Sequence, residues 1–343
     1  RMTDWGESVV VNAADDRLKV HLHTGDRQAL RSGLEQLGRV DAWSEEKIDL
    51  VLPTAGRADQ AVHVMTDAAG SVTREDAQVL GMTLLDSYLL VGDQAWPETL
   101  YLPDALYTAM LDGHKVSTAQ ASVFQRHQSY LSAVSRFERV VYLSVGSVYT
   151  GNFETATTWQ AANDPDRRLT VIDSGAASGR LGIMALAVAR YAQQSQDPDA
   201  VVGFARQAVA QSQELVFLDQ LKFLVAGGRI SKTKGFFGDL LHMKPIMTPT
   251  AHGAAKVGVV RSRDDQLAFG LKHLQNSFDP GAAPLILLQF TDNREWVEGV
   301  VASQVRSLLP AARILFRPLS LTSGVHMGPG TWAVAFLPGA FNL

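Results

Sequence analysis

Four short stretches gather small hydroxyl, amide and imidazole side chains just after apolar runs. TDAAGS offers Thr66, Asp67 and Ser71, and KVSTAQAS offers Ser117, Thr118, Gln120 and Ser122. SVGSVYTGNFETA sets Ser144, Ser147 and Thr150 around Gly146 and Gly151, while SGVHMGPG brackets His326 with glycines. Hydroxyls and backbone N–H groups in small-residue loops suit an anion, because glycine permits close approach and a helix start favours negative charge. The same residues also serve as turns and helix caps, and a lone His326 also serves as a structural residue. Composition leaves both readings open.

Other chemistries fit less well. No Gly-Lys-Ser or Gly-Lys-Thr completes a Walker loop, and no Ser sits in a G-x-S-x-G elbow. His21 and His23 stand two apart on an expected strand, so both imidazoles share one face and would suit a metal. Two ligands do not make a site, and no metal or cofactor is assigned.

A fifth stretch, LKFLVAGGRISKTKGFFGDLLHMKPIM from Leu221 to Met247, pairs glycines with an Arg and then an apolar segment. An ordinary core helix has little use for Gly pairs. This segment is expected to line something.

The elements that must position these residues follow from periodicity. Ser8–Asn12 and Arg17–His23 flank a turn and predict a β-hairpin, followed by a helix capped by Thr24 or Asp26. Pro53–Asp59 reads as a linker. From Val62 onward strand and helix signals alternate: RVVYLSV, a helix from about Gly151, LTVIDS, a helix from about Arg180, and another opening at Asp197–Asp199. LVFLDQL, PLILLQF, a helix over Arg294–Leu308, ARILFRPL, the loop TSGVHMGPG and the strand TWAVAFLP complete the chain. Such alternation predicts an α/β fold with parallel or mixed sheets flanked by helices, preceded by a small α+β piece, with ligands at strand C-terminal ends.

At 343 residues the chain is long enough for two or three domains, and 46% apolar residues is a globular value. A net charge of -4 gives no general pull toward nucleic acid. Absence of cysteine excludes disulfide and thiolate chemistry and fits a cytoplasmic location. The longest apolar run, Leu181–Ala189, is too short to span a bilayer, so no stable membrane insertion is expected. Arg1 is not an initiator Met, and we expect a fragment of a longer protein.

Taken together, the blocks resemble the DegV family from about Val62 to Leu343. TDAAGS resembles its Thr-Asp-Ser opening, and STAQAS is similar to its Thr-Ser-Gln-Pro-Ser loop through Thr118, Gln120 and Ser122. GSVYTGNFETA resembles its Ser-Ser-x-Leu-Ser-Gly-Thr-Tyr-Gln-Ser-Ala motif, retaining Ser147 and Gly151 with Thr150 in place of Ser. Asp173 and Ser174 match its interdomain Asp-Ser, and LKFLVAGGRIS with LLHMKPIM reproduces its Gly-Gly-Arg-Ile-Ser and Lys-Pro blocks. Arg261 and Arg263 match its basic segment, and His326 falls in its His-x-Gly-Pro-Gly loop.

The resemblance implies two α/β lobes, 62–212 and 213–343, holding a long-chain fatty acid between them. It implies an acyl-binding module of a fatty acid kinase, not itself an enzyme, which presents the carboxylate to an ATP-binding domain for acyl phosphate formation. Residues 1–52 resemble the end of the middle domain of a dihydroxyacetone-kinase-like subunit, with 53–61 as linker. In that subunit the two histidines bind zinc together with a Cys that this chain lacks. The implied carboxylate donors are Thr118 and Ser147, with Ser117 and Thr150 secondary, Gly151 beside them and His326 at the same end. Arg261 and Arg229 would attract phosphate or dock the kinase, and Phe236, Phe237 and Leu241 would wall the tail. Burying roughly 14 methylenes would supply on the order of 11 kcal/mol before the costs of association. The alternative is an enzyme acting on a small acyl or phosphate substrate through His326 and a hydroxyl.

Overall fold

In the computed structural model the two opening apolar runs pair antiparallel as β1 (Glu7–Ala14) and β2 (Arg17–His23), with Val11 opposite Val20. Asp26 caps α1 (Arg27–Leu37), its carboxylate accepting from the N–H groups of Gln28 and Ala29, which otherwise lack intrahelical partners. These elements lie in one unit, Arg1–Val51, and the remainder, Leu52–Leu343, forms a second. The structure describes residues 7–14, 17–24, 26–41, 43, 61–226 and 243–338. Apart from residue 61, the expected linker lies outside them.

The second unit begins with β3 (His63–Asp67), α2 (Arg74–Leu80), β4 (Thr83–Leu85), β5 (Tyr88–Val91), β6 (Gln94–Pro97), α3 (Pro103–Leu111) and β7 (Val116–Ala119). It continues with α4 (Val123–Arg136), β8 (Val140–Ser144), α5 (Asn152–Asn163), β9 (Leu169–Asp173), α6 (Ser178–Gln194) and α7 (Pro198–Gln211). Strands β4-β3-β8-β9 form a parallel sheet, and β6-β5-β7 a small antiparallel one. Parallel neighbours need crossovers, which α2 supplies between β3 and β4 and α5 between β8 and β9.

The C-terminal half runs β10 (Gln213–Phe217), α8 (Lys222–Ala226), β11 (Lys244–Thr250), β12 (Gly253–Val260), α9 (Arg263–Ser277) and β13 (Leu285–Phe290). Then come α10 (Arg294–Trp296), a π turn (Val297–Val301), α11 (Ala302–Leu308), β14 (Arg313–Pro318), α12 (Leu321–Met327) and β15 (Trp332–Leu337). Its sheet, β12-β11-β10-β15-β13-β14, is parallel only at β13–β14. Two features make it mixed. A two-residue connection forces β11 and β12 into a hairpin, and the last strand returns between β10 and β13. The expected loop over TSGVHMGPG is a correction: Leu321–Met327 is helical, capped by the Ser320 hydroxyl and stopped at Gly328, whose φ is 84°. Ser, Gly and Val weaken helix propensity there, so sequence alone reads it as a loop.

The apolar run Leu181–Ala189 is buried on every side in α6. This helix packs against β3 and β8 of one sheet and β10, β13 and β15 of the other. A helix without a polar face needs such enclosure. Gly182 makes the approach possible, because a Cβ there would overlap the carbonyl oxygen of Gly70. Polar ties join the halves as well. Arg317 of β14 forms a bidentate pair with Asp76 of α2, and the Ser71 hydroxyl donates to Gln289 of β13 at 2.7 Å. Among the described residues no helix is long and apolar enough to cross a membrane.

Candidate functional site

The end of β3 supplies a foundation rather than a contact surface. Asp67 is fully buried and accepts from Arg126 Nη1 at 3.0 Å, the Tyr142 hydroxyl at 2.8 Å, the Val145 N–H at 2.7 Å and Asn152 Nδ2 at 3.0 Å. Two of these donors, Val145 and Asn152, bracket the loop between β8 and α5. Asp67 therefore fixes that loop from beneath, and burial of the Arg126 charge is compensated by its carboxylate.

The loop itself divides its hydroxyls. Thr150 lines a cavity, and Gly151 caps α5. Ser147 turns elsewhere: its N–H and hydroxyl donate to the two carboxylate oxygens of Asp173 at 3.0 and 2.6 Å. The expectation that Ser147 joins the other hydroxyls is corrected on this point, because the adjacent strand end supplies a better acceptor.

Strand β7 and helix α12 meet across the site. Thr118 Oγ1 lies 3.2 Å from His326 Nε2, in hydrogen-bond contact. Ser117, its neighbour on the strand, points to the opposite face of the sheet, as alternate residues must. It is not brought to the pair. Ser122 is a helix cap, forming a capping box with Gln125 at the start of α4.

The cavity is a cleft partly open to solvent. Its walls come from both halves: Ala69, Val145 and Ala177 on one side, and Val216, Leu218, Leu224 and Met247 on the other. Its polar lining is hydroxyl and imidazole: Tyr149, Thr150, Ser178, Thr248, Thr322, Ser323 and His326. Among the described residues, those lining it include no Asp, Glu, Lys or Arg. A carboxylate held there would be satisfied by neutral donors and by the state of His326.

Ser178, Thr322 and Ser323 were not singled out by sequence. Ser178 adopts a left-handed φ of 55°, a strained position for a residue with a Cβ. Buried Glu214 secures it, accepting from the Ser178 hydroxyl at 3.1 Å, the N–H groups of Gly179 and Arg180 at 3.0 and 3.1 Å, and Gln289 Nε2 at 2.8 Å. Burial raises the Glu214 pKa, and these donors hold it back only in part. The positive φ is invisible in a Ser codon, although its place between Gly175 and Gly179 hinted at a tight turn. Thr322 and Ser323 share with His326 the periodicity of a helix that the sequence does not announce.

Other expected residues lie apart. Arg261 is exposed in a separate open groove with Met243, Asp265, Phe269 and Lys272. Arg261, expected to attract phosphate or dock the kinase, follows the end of β12 and does not line the cavity. Arg229, Phe236, Phe237 and Leu241 lie outside the described residues, as do Gly227, Gly228, Gly235, Gly238 and Leu240. His21 and His23 sit on β2. Among the described residues no group of three or more His, Cys, Asp or Glu is placed to hold a metal ion.

Comparison with known proteins places this geometry in context. The DegV family model, described as "Uncharacterised protein, DegV family", matches residues 61–339. A DegV domain-containing protein of Caldanaerobacter subterraneus subsp. tengcongensis is 21% identical over 278 residues, covering 81% of this chain and 99% of its own. The structure of a DegV family protein from Thermus thermophilus, described for its fatty acid binding, is 22% identical with a TM-score of 0.74, over 81% of this chain and 99% of its own. DegV of Bacillus subtilis, a fatty acid binding protein, is 17% identical with a TM-score of 0.72 over the same shares, 81% and 99%. At these identities the structural likeness establishes the α/β fold.

Proposed function

The chain belongs to the DegV family, whose model spans residues 61–339, and on that premise we propose that it holds one long-chain fatty acid in this cavity. The observation that carries the reading is a chamber with apolar walls and an uncharged polar lining, in which His326 is hydrogen-bonded to Thr118. Apolar walls match a methylene chain, and hydroxyl and imidazole donors match a carboxylate that would be costly to bury unpaired. Thr118, Thr150 and His326 are the proposed head-group residues, with Ser178, Thr322 and Ser323 beside them. The role expected of Ser147 becomes indirect, through the Asp173 contact that shapes its loop.

In this reading the module presents the carboxylate to the ATP-binding domain of a fatty acid kinase, where an acyl phosphate forms. Residues 1–52 are the proposed tail of the kinase-type middle domain, 53–61 the linker, and 62–212 and 213–343 the two lobes, in the cytoplasm. Arg261, with Lys272 nearby in its groove, is proposed to meet the kinase rather than the lipid.

Denaturing mass spectrometry of purified protein is expected to release a fatty acid. T118V and H326A are expected to weaken binding about tenfold or more, the loss of one hydrogen bond to a charged group, while keeping the native urea midpoint. Protein that neither carries nor takes up any acyl chain would end this reading. Turnover of an acyl substrate by the chain alone would instead favour direct chemistry through the Thr118–His326 pair.

A further inference from the structure

Two neighbouring strands part company at one end of the cleft. β10 and β11 pair at Phe217–Ile246 and Val216–Met247, and among the described residues their register stops there. Thr248 and Pro249, the next residues of β11, line the cavity instead, as does Ala254 near the start of β12. Ala254 is also exposed, so the rim of the cleft runs along this hairpin. Among the described residues β12 pairs with β11 alone. The β11–β12 register shifts between Ile246 and Met247, and a bulge at such a point bends the strand that carries it. The tip of the hairpin therefore projects from the sheet beyond an irregular step in its own ladder.

What holds the tip comes from the other half of the molecule. Tyr149 Oη donates to the Thr250 carbonyl at 3.2 Å and accepts from the Thr250 N–H at 3.1 Å, across 101 residues. Its one proton is thereby engaged, so Tyr149, although it lines the cavity, has none left for a carboxylate. Arg180 Nη1 donates to the neighbouring Pro249 carbonyl at 3.0 Å. Ala251 rests on Gly175, where φ is 58° and a Cβ would lie 3.3 Å from that of Ala251. A projecting tip held by a few such contacts opens at lower cost than a packed core.

We propose that the tip of this hairpin is a flap over the mouth of the cleft and that Tyr149 is its latch. An acyl chain enters and leaves when the Tyr149–Thr250 pair opens and the tip swings about Ile246–Met247. A residue that gives nothing to the head group thus sets how fast the ligand exchanges. This rests on the fatty-acid reading above.

The test is stopped-flow exchange of cis-parinaric acid, a fluorescent long-chain fatty acid, on the whole chain, with urea midpoints confirming that each variant is folded. Y149F is expected to speed association and dissociation together, each about tenfold, the worth of one to two neutral hydrogen bonds. The chain has no cysteine, so G175C/A251C offers a single intramolecular disulfide, with a Cβ separation near the usual span. Once oxidised, this variant is expected to slow both steps about tenfold or more, and a reductant is expected to restore them. Y149F with unchanged rates, or with faster dissociation alone as a lost ligand contact gives, would overturn the proposal. Equal rates for oxidised and reduced G175C/A251C overturn it as well. In each of these cases wild type that binds the probe leaves the fatty-acid reading standing, whereas wild type that never takes it up removes that reading and this proposal together.

Discussion

At Asp67 one carboxylate accepts from a guanidinium, a phenol, a main-chain N–H and an amide, all of them buried. Removing its charge leaves Arg126, 2% exposed, without its ion-pair partner. We expect D67N to lose about 3–5 kcal/mol of stability in urea unfolding, the usual cost of stripping one member from a buried pair. A loss below about 1 kcal/mol would show the pair to be dispensable. The residue was legible as a polar position after a strand, and its spacing allowed a cap. What the spacing could not carry was the direction of the side chain: inward, to groups 59 to 85 residues away. Ser147 shows the converse. It matches an anion-binding pattern, yet Asp173 takes its hydroxyl.

Helix α6 is the element on which both sheets depend, and its glycines show how closely. At Gly182 an added methyl would meet the Gly70 carbonyl, whereas at Gly203 in α7 it would meet nothing within 4 Å. G182A is expected to destabilise by about 1–3 kcal/mol through overpacking. G203A is expected to stabilise by about 0.5–1 kcal/mol through reduced chain entropy. Thermal or urea unfolding of the two variants checks the contrast, and equal effects would refute it. The signals for α6 were strong, a long apolar run closed by Arg190. Helix α12 gave almost none, because seven residues with Thr-Ser-Gly-Val at their centre derive their helicity from contacts with α3, α8 and β7.

For the whole molecule the buried titrating groups set a balance. His63, stacked on Phe137, has its pKa lowered from 6.5 to about 4 by burial, aided by Arg136. The unfolded chain therefore binds the extra proton between those values, and stability is lost as pH falls through that window. Glu98, raised by burial from 4.5 to about 7, has the opposite sign: the folded state holds the extra proton, and stability is lost as pH rises. Each amounts to about 3 kcal/mol, so the wild-type stability contributed by this pair is expected to be nearly flat where the two windows overlap, from pH 4.5 to 6.5. Urea midpoints of E98Q should rise with pH across that window, and those of H63Q should fall. Parallel profiles for the two variants would contradict the assignment.

The α/β class, the hairpin and capped helix at the start, the strands at RVVYLSV, LTVIDS and PLILLQF, and the loops that could hold an anion were written in periodicity, caps and small-residue clusters. These are local properties, set by neighbours within a few residues. Tertiary structure alone decided that β15 returns to the middle of a mixed sheet, that Thr118 meets His326 across 208 residues, and that Ser147 faces Asp173. It also set the buried Glu98 behind the Thr322 wall. Each of these depends on which distant surface covers a side chain, and burial and hydrogen-bond partners are fixed by packing in three dimensions rather than by spacing along the chain.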